Sequence, residues 1–138
     1  MDKKLIIEEL NNHVKNTMID YLGIIFTKAG ADFIEATMPV NNKTVNPAQI
    51  LHGGAMMALA ETVGSALSFL FIDIDKQDVR GLDINGNHLK NTSQGLVTAK
   101  ATLLHKGRQT HVSEIRITDE NEVLLNISRM TNMIIDKK

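Results

Sequence analysis

The chain reads as an α+β fold, an antiparallel sheet wrapped around one long central helix. Three observations predict it. Residues 54–72 form an apolar helix interrupted by one charge, Glu61. The strand-forming segments that follow are joined by turns too short for crossover helices, so their sheet must be antiparallel. A helix apolar on every side also has to be covered, and a sheet does this by curling around it.

Each element has its own signal. Within residues 3–15, Ile6, Leu10, His13 and Val14 recur at helical spacing, which predicts a short amphipathic helix. Leu22–Lys28 and Asp32–Met38 read as strands around a turn at Ala29-Gly30-Ala31, with Ile34, Ala36 and Met38 on one face. Pro39 and Pro47 bracket a polar loop, Val40–Asn46, that leads into the central helix, and Asp73–Asp78 is a charged connector after it. Four further strands are predicted at 79–90, 96–105, 110–118 and 123–134. They are separated by turn signals at Ser93-Gln94-Gly95, Lys106-Gly107 and Asp119-Glu120-Asn121. In Leu96–Leu104 the alternation is clean: Val97, Ala99, Ala101 and Leu103 point inward, Thr98, Lys100 and Thr102 outward.

Composition narrows the class. At 138 residues the expectation is a single domain, 1–138, with enough apolar residues (43%) for a real core. A net charge of −1 provides no general attraction to nucleic acid or to an anionic membrane. With no cysteine there is neither disulfide nor thiolate nucleophile, and no Cys-type zinc site. The N-terminal residues lack a signal peptide's apolar run and carry Glu8 and Glu9 instead, so a soluble, cytoplasmic protein is expected. The central helix is near the minimum length for a membrane span, but Glu61, Thr62, Gly64, Ser65 and Ser68 argue against that use.

The chemistry concentrates at His52-Gly53-Gly54. Two glycines place backbone N–H groups at a helix start, where the dipole favours negative charge. A carboxylate carried on an apolar helix is costly without a partner or a task. Together they suggest an oxyanion site with an acid, base or nucleophile beside it. If Glu61 is buried, desolvation should raise its pKa. A Ser/His/Asp hydrolase does not fit, because Gly64-Ser65 lies inside a helix and not on a strand-to-helix elbow. The five histidines show no i,i+4 pair, so no metal site is expected.

The pattern H-G-G-x4-L-A-E at 52–61, followed by Gly64-Ser65, resembles the hotdog-fold acyl-CoA thioesterases of the phenylacetate-degradation (PaaI) type. Within them it is similar to the 1,4-dihydroxy-2-naphthoyl-CoA thioesterases. Glu35–Val40, Gly81–His88 and Ile127-Ser128-Arg129 fall in the matching order, so the resemblance covers roughly residues 20–134. It implies a hotdog fold, dimeric or tetrameric, and hydrolysis of an acyl-CoA with no further cofactor, coenzyme A being part of the substrate. It also implies that the Gly53 N–H polarises the thioester carbonyl and that Glu61 is the base or nucleophile. Asn46 stands where such proteins carry Gln or Asn before the helix, to hold water or the carbonyl; the alternative is a turn residue before Pro47.

His52 is expected to support the site or to cap the helix. Ser65, at i+4 from Glu61, either reaches the site or serves as a small packing residue. For the nucleotide end of coenzyme A the resemblance points to Gly81, to His88, Leu89, Lys90 and Asn91, and to His105, Lys106, Gly107, Arg108, Gln109 and Thr110. The basic members suit phosphate, or else form a solvated hairpin face.

Spacing carries one more inference. Gly53 and Glu61 are eight residues apart, which along a helix is about 12 Å. One chain cannot easily bring both to the same carbonyl, whereas two antiparallel copies of the helix can. A homo-oligomer, as a dimer or dimer of dimers, with sites at the interface is therefore expected. Two other readings stay open: a thioesterase acting on acyl groups held by a carrier protein, and a non-catalytic acyl-CoA-binding module. Met56, Met57 and the scarcity of aromatics leave the acyl group undetermined.

Overall fold

A computed structural model describes residues 2–138. The elements are α1 (Lys3–His13), α2 (Met18–Tyr21), β1 (Ile25–Ala29), β2 (Phe33–Pro39), α3 (Gly53–Ser68), β3 (Gln77–His88), β4 (Leu96–Lys106), β5 (Thr110–Thr118) and β6 (Leu124–Asp136). The strands form one sheet in the order β1-β2-β4-β5-β6-β3, every neighbouring pair antiparallel. As expected, the sheet packs one face on the central helix, α3. Ile34, Ala36 and Met38 of β2, Val97, Ala99 and Ala101 of β4, and Ile115 and Ile117 of β5 are fully buried with Leu59, Ala60 and Val63 of α3. The alanines keep the middle of the sheet shallow. A Cβ on Gly64 would lie 2.7 Å from Met130 Sδ, so glycine lets β6 approach the helix there.

Several boundaries, and the alternation of one strand, differ from those expected. The chain at Thr17–Leu22 makes a short helix, α2, and the first strand begins only at Ile25, because Gly23 at φ 77 turns the backbone between them. The central helix ends at Ser68, not Ile72: Phe69, Leu70 and Phe71 donate to residues three back, which tightens the last turn. β3 starts two residues early and stops at His88. In β4 a register shift between Leu103 and His105 interrupts the alternation, leaving Leu103 half-buried and Leu104 exposed.

The N-terminal helix is fastened by one side chain. Asn11 Nδ2 donates to the Phe26 carbonyl and Asn11 Oδ1 accepts from the Phe26 N–H, each at 2.9 Å. This amide uses the free side of β1, and with it Ile7, Leu10 and Val14 settle on the core. Asn11→Ala should destabilise the protein by roughly 1–3 kcal/mol, since both partners lose a part-buried bond. Hydrogen exchange should show α1 and β1 opening together.

At the C-terminal end of α3 lies a buried polar group. Asn132 Nδ2 donates to Ser68 Oγ (2.8 Å) and to the Gly64 carbonyl (2.9 Å), and Ser68 Oγ is hydrogen-bonded to His111 Nδ1 at 2.9 Å. Burial holds the His111 pKa below the ordinary 6.5, helped by the positive Lys106 and by His105. The unfolded chain therefore binds a proton that the folded chain refuses. Stability from this group is complete above about pH 6.5 and falls as the pH drops below it. The thermal midpoint should decline more steeply from pH 7 to 5 in the wild type than in His111→Gln, which calorimetry across pH would measure.

Candidate active site

The site is built at the start of α3. The loop before it is tied down at three points. Thr44, buried, donates from Oγ1 to the Pro39 carbonyl (2.9 Å), Leu51 N–H donates to Thr92 O (2.9 Å) and His52 N–H to Thr44 O (2.8 Å). His52 is the N-cap: its Nδ1 accepts from the Gly54 N–H at 2.7 Å, and its carbonyl accepts from Ala55 and Met56. Gly54 is therefore not a bare donor, contrary to expectation. The Gly53 N–H is the donor of this first turn left without an acceptor among the described residues. It points to where negative charge is favoured by the dipole of a 16-residue helix.

Glu61 lies two turns further on. The expectation of a buried carboxylate fails for the single chain: Glu61 is exposed, and the face of α3 that carries it is not covered by the chain's own sheet. Gly54, Met57, Ala58, Glu61, Thr62, Ser65 and Phe69 instead line one wall of an open groove. The opposite wall is Leu10, His13, Val14, Met18 and Ile19 from α1, α2 and the turn between them. The groove encloses about 500 Å³ and is mostly apolar, within the usual range for a small-molecule site. Desolvation of Glu61 has to come from whatever fills or covers this groove.

The structure brings some of the expected residues together and separates others. Ser65 shares the groove with Glu61, and its hydroxyl faces Met130 Sδ at 3.9 Å. Asn46 is not among the residues that line the groove; its Oδ1 accepts from Ala48 N–H (2.9 Å) in the turn around Pro47. The residues expected at coenzyme A fall into two groups. His88, Leu89, Lys90 and Asn91 are exposed at the end of β3 beside the start of α3. Gly81 pairs with Asn132, next to the β4–β5 turn that carries His105, Lys106, Gly107, Arg108, Gln109 and Thr110. From Gly81 to His88 the strand runs about 23 Å at ~3.3 Å per residue, so a single copy holds the two groups at opposite ends. In the second group, Gly107 N–H donates to Thr110 O at 2.7 Å, closing the turn, and Lys106 Nζ lies 5.7 Å from the Phe71 ring.

Sequence reasoning did not find the polar side chains that β6 turns toward α3. Asn126, Ser128 and Asn132 are buried there, on the same face as Met130. Alternate polar residues in a core strand were the available signal. The pairing of β6 with β3 and β5, and its packing on α3, is what turns them inward.

A helix start with a free N–H, a carboxylate on the open face of the same helix and an antiparallel sheet packed on its other face belong to one class of protein. The thioesterase superfamily model matches residues 48–126, and the chain belongs to that superfamily, with the hotdog fold and the thioester-hydrolase activity of its class. It is similar to the 1,4-dihydroxy-2-naphthoyl-CoA hydrolase of Escherichia coli, 39% identical over 133 residues that span 96% of this chain and 97% of that protein. It is likewise similar to the proofreading thioesterase EntH of Cronobacter sakazakii, 41% identical over 133 residues and 96% of each chain. A crystal structure of a Haemophilus influenzae thioesterase superposes with a TM-score of 0.91 at 43% identity, covering 94% of this chain and 90% of that one. No helix among the described residues is long and apolar enough to cross a membrane.

Proposed function

We propose that this thioesterase hydrolyses an aroyl- or medium-chain acyl-CoA, with its sites shared between two copies of the chain. The observation that carries the reading is the open groove: an apolar channel with Glu61 on its helical wall and the unpaired Gly53 N–H at the start of the same helix. The acyl group occupies the groove between α1 and α3. The thioester carbonyl accepts a hydrogen bond from the Gly53 N–H of one copy, and Glu61 of the second copy takes a proton from water. That water adds to the carbonyl carbon, the charge that develops on oxygen is held by the donor, and the C–S bond breaks to release the thiolate of coenzyme A.

Two features support a pair of chains. β3 is an edge strand of 12 residues, paired on one side with β6 and open on the other, a surface that folded proteins normally cover. The exposed face of α3 lies on the same molecule with Gly53 and Glu61 about 12 Å apart along the axis. An antiparallel second copy brings Glu61 to the first copy's Gly53. Lys90, Lys106 and Arg108, all exposed, are the groups offered to the phosphates.

The test is thiol release from benzoyl-, hydroxynaphthoyl-, phenylacetyl- and straight-chain acyl-CoAs. Turnover concentrated in one acyl class supports the reading and names the substrate. Turnover confined to the same acyl groups on a carrier protein would replace coenzyme A by that carrier, and binding without turnover would leave only an acyl-CoA-binding module.

A further inference from the structure

A second polar group lies beside the Gly53 N–H at the helix start. A Cβ built on Gly53 would lie 2.8 Å from His88 Nε2, so the imidazole of β3 sits directly against this turn. The other ring nitrogen, Nδ1, is 3.1 Å from Asn126 Nδ2. Asn126 is fully buried, and the Ser128 hydroxyl donates to its Oδ1 at 2.7 Å, an arrangement that keeps the amide nitrogen toward the ring. An amide nitrogen only donates, so Nδ1 of His88 must accept, and the ring proton resides on Nε2. Met57 Sδ, 3.7 Å from both Asn126 Nδ2 and Ser128 Oγ, fills the remaining space without offering a competing strong acceptor. Gly86 completes the arrangement: a Cβ there would come within 2.2 Å of Ser128 Oγ.

We propose that Ser128 and Asn126 act as positioning residues that fix His88 as its Nε2–H tautomer, so that the ring presents a second hydrogen-bond donor beside the Gly53 N–H at the acyl carbonyl. The proposal rests on the reading of Gly53 as the oxyanion donor. Two donors on one oxygen, one from the helix start and one from the sheet edge, are preorganised before substrate arrives, the condition under which such bonds act most strongly on a developing charge. Asn126 and Ser128 reach no substrate themselves; they act through the ring.

The experiment is nitrogen NMR on the wild-type protein with ¹⁵N-labelled histidine, the His88 signals being assigned by their loss in His88→Gln. The expected spectrum has a non-protonated Nδ1 and a protonated Nε2. Ser128→Ala should mix the tautomers and lower kcat roughly tenfold, the equivalent of one neutral hydrogen bond, with KM little changed; Ser128→Thr, which keeps the hydroxyl, should restore both. His88→Ala should lower kcat about a hundredfold, as expected for loss of one oxyanion donor. A protonated Nδ1 in the wild type overturns the proposal, whatever the variants do. So does wild-type kcat in His88→Ala when Glu61→Gln is inactive, an outcome that leaves the site reading standing. Full activity in Glu61→Gln removes that reading instead, while the NMR spectrum still decides the tautomer.

Discussion

Glu61→Gln is expected to lower kcat for thioester hydrolysis by a factor of about 10²–10⁴, the usual contribution of a positioned general base, with the fold undisturbed. The side chain is exposed in the single chain and takes part in no ion pair or side-chain hydrogen bond among the described residues. Removing its charge therefore leaves no orphaned partner in the chain, and stability should change by no more than about 0.5 kcal/mol. The amide keeps the shape but cannot take a proton from water. Steady-state thiol release with a thermal melt separates the two effects; an active, folded Glu61→Gln enzyme would remove Glu61 from the mechanism.

The same variant tests whether the site is shared. Gly53→Ala keeps the N–H but puts a Cβ 2.8 Å from His88 Nε2, crowding the carbonyl position, and mixing it with Glu61→Gln chains gives mixed dimers that hold one unaltered Gly53–Glu61 pair across the interface. In a random mixture about half the dimers are mixed, with one good site in two, so about a quarter of wild-type activity should return. If both residues serve one carbonyl from the same chain, mixing recovers nothing.

Leu59→Ala is expected to do the reverse. Leu59 lies two residues before Glu61, about 200° around the helix, and is fully buried among β2, β4 and β5. Truncation should cost about 2–5 kcal/mol, the transfer term plus the cavity it leaves. That is a large part of the stability of a domain this size. Chemical denaturation should show a lower midpoint with an unchanged slope. The kcat of the folded fraction should stay near wild type. Two positions on one turn thus divide the labour, one face of α3 building the core and the other the reaction.

Much of this architecture was legible without coordinates. Alternation at Ile34-Ala36-Met38 and at Val97-Ala99-Ala101 named the inward faces, and those residues are buried. The short turns after residue 90 required an antiparallel sheet, and the observed order obeys that. The resemblance carried by His52–Glu61 and Gly64-Ser65 implied a thioesterase, and the chain belongs to that superfamily. These features are local: side-chain period, turn chemistry and helix start are written within a few residues of one another.

The tertiary structure decided the rest. Burial of Glu61 was inferred from an apolar helix, but helical hydrophobicity does not say which partner covers each face, and the chain's own sheet leaves this one open. Asn11 was one polar residue in an amphipathic segment until β1 came within reach of its amide, 15 residues away. His88 and Asn126 are 38 residues apart in sequence, and Asn132 and Ser68 are 64. Each of these side chains acquires its role from a group that only strand pairing brings into contact. Sequence by itself determined which residues turn inward and which turn begins the helix, because those follow from backbone geometry over a few residues. Which polar groups meet inside, and which helix face is left for substrate and a second copy, depended on how the sheet closes over the helix.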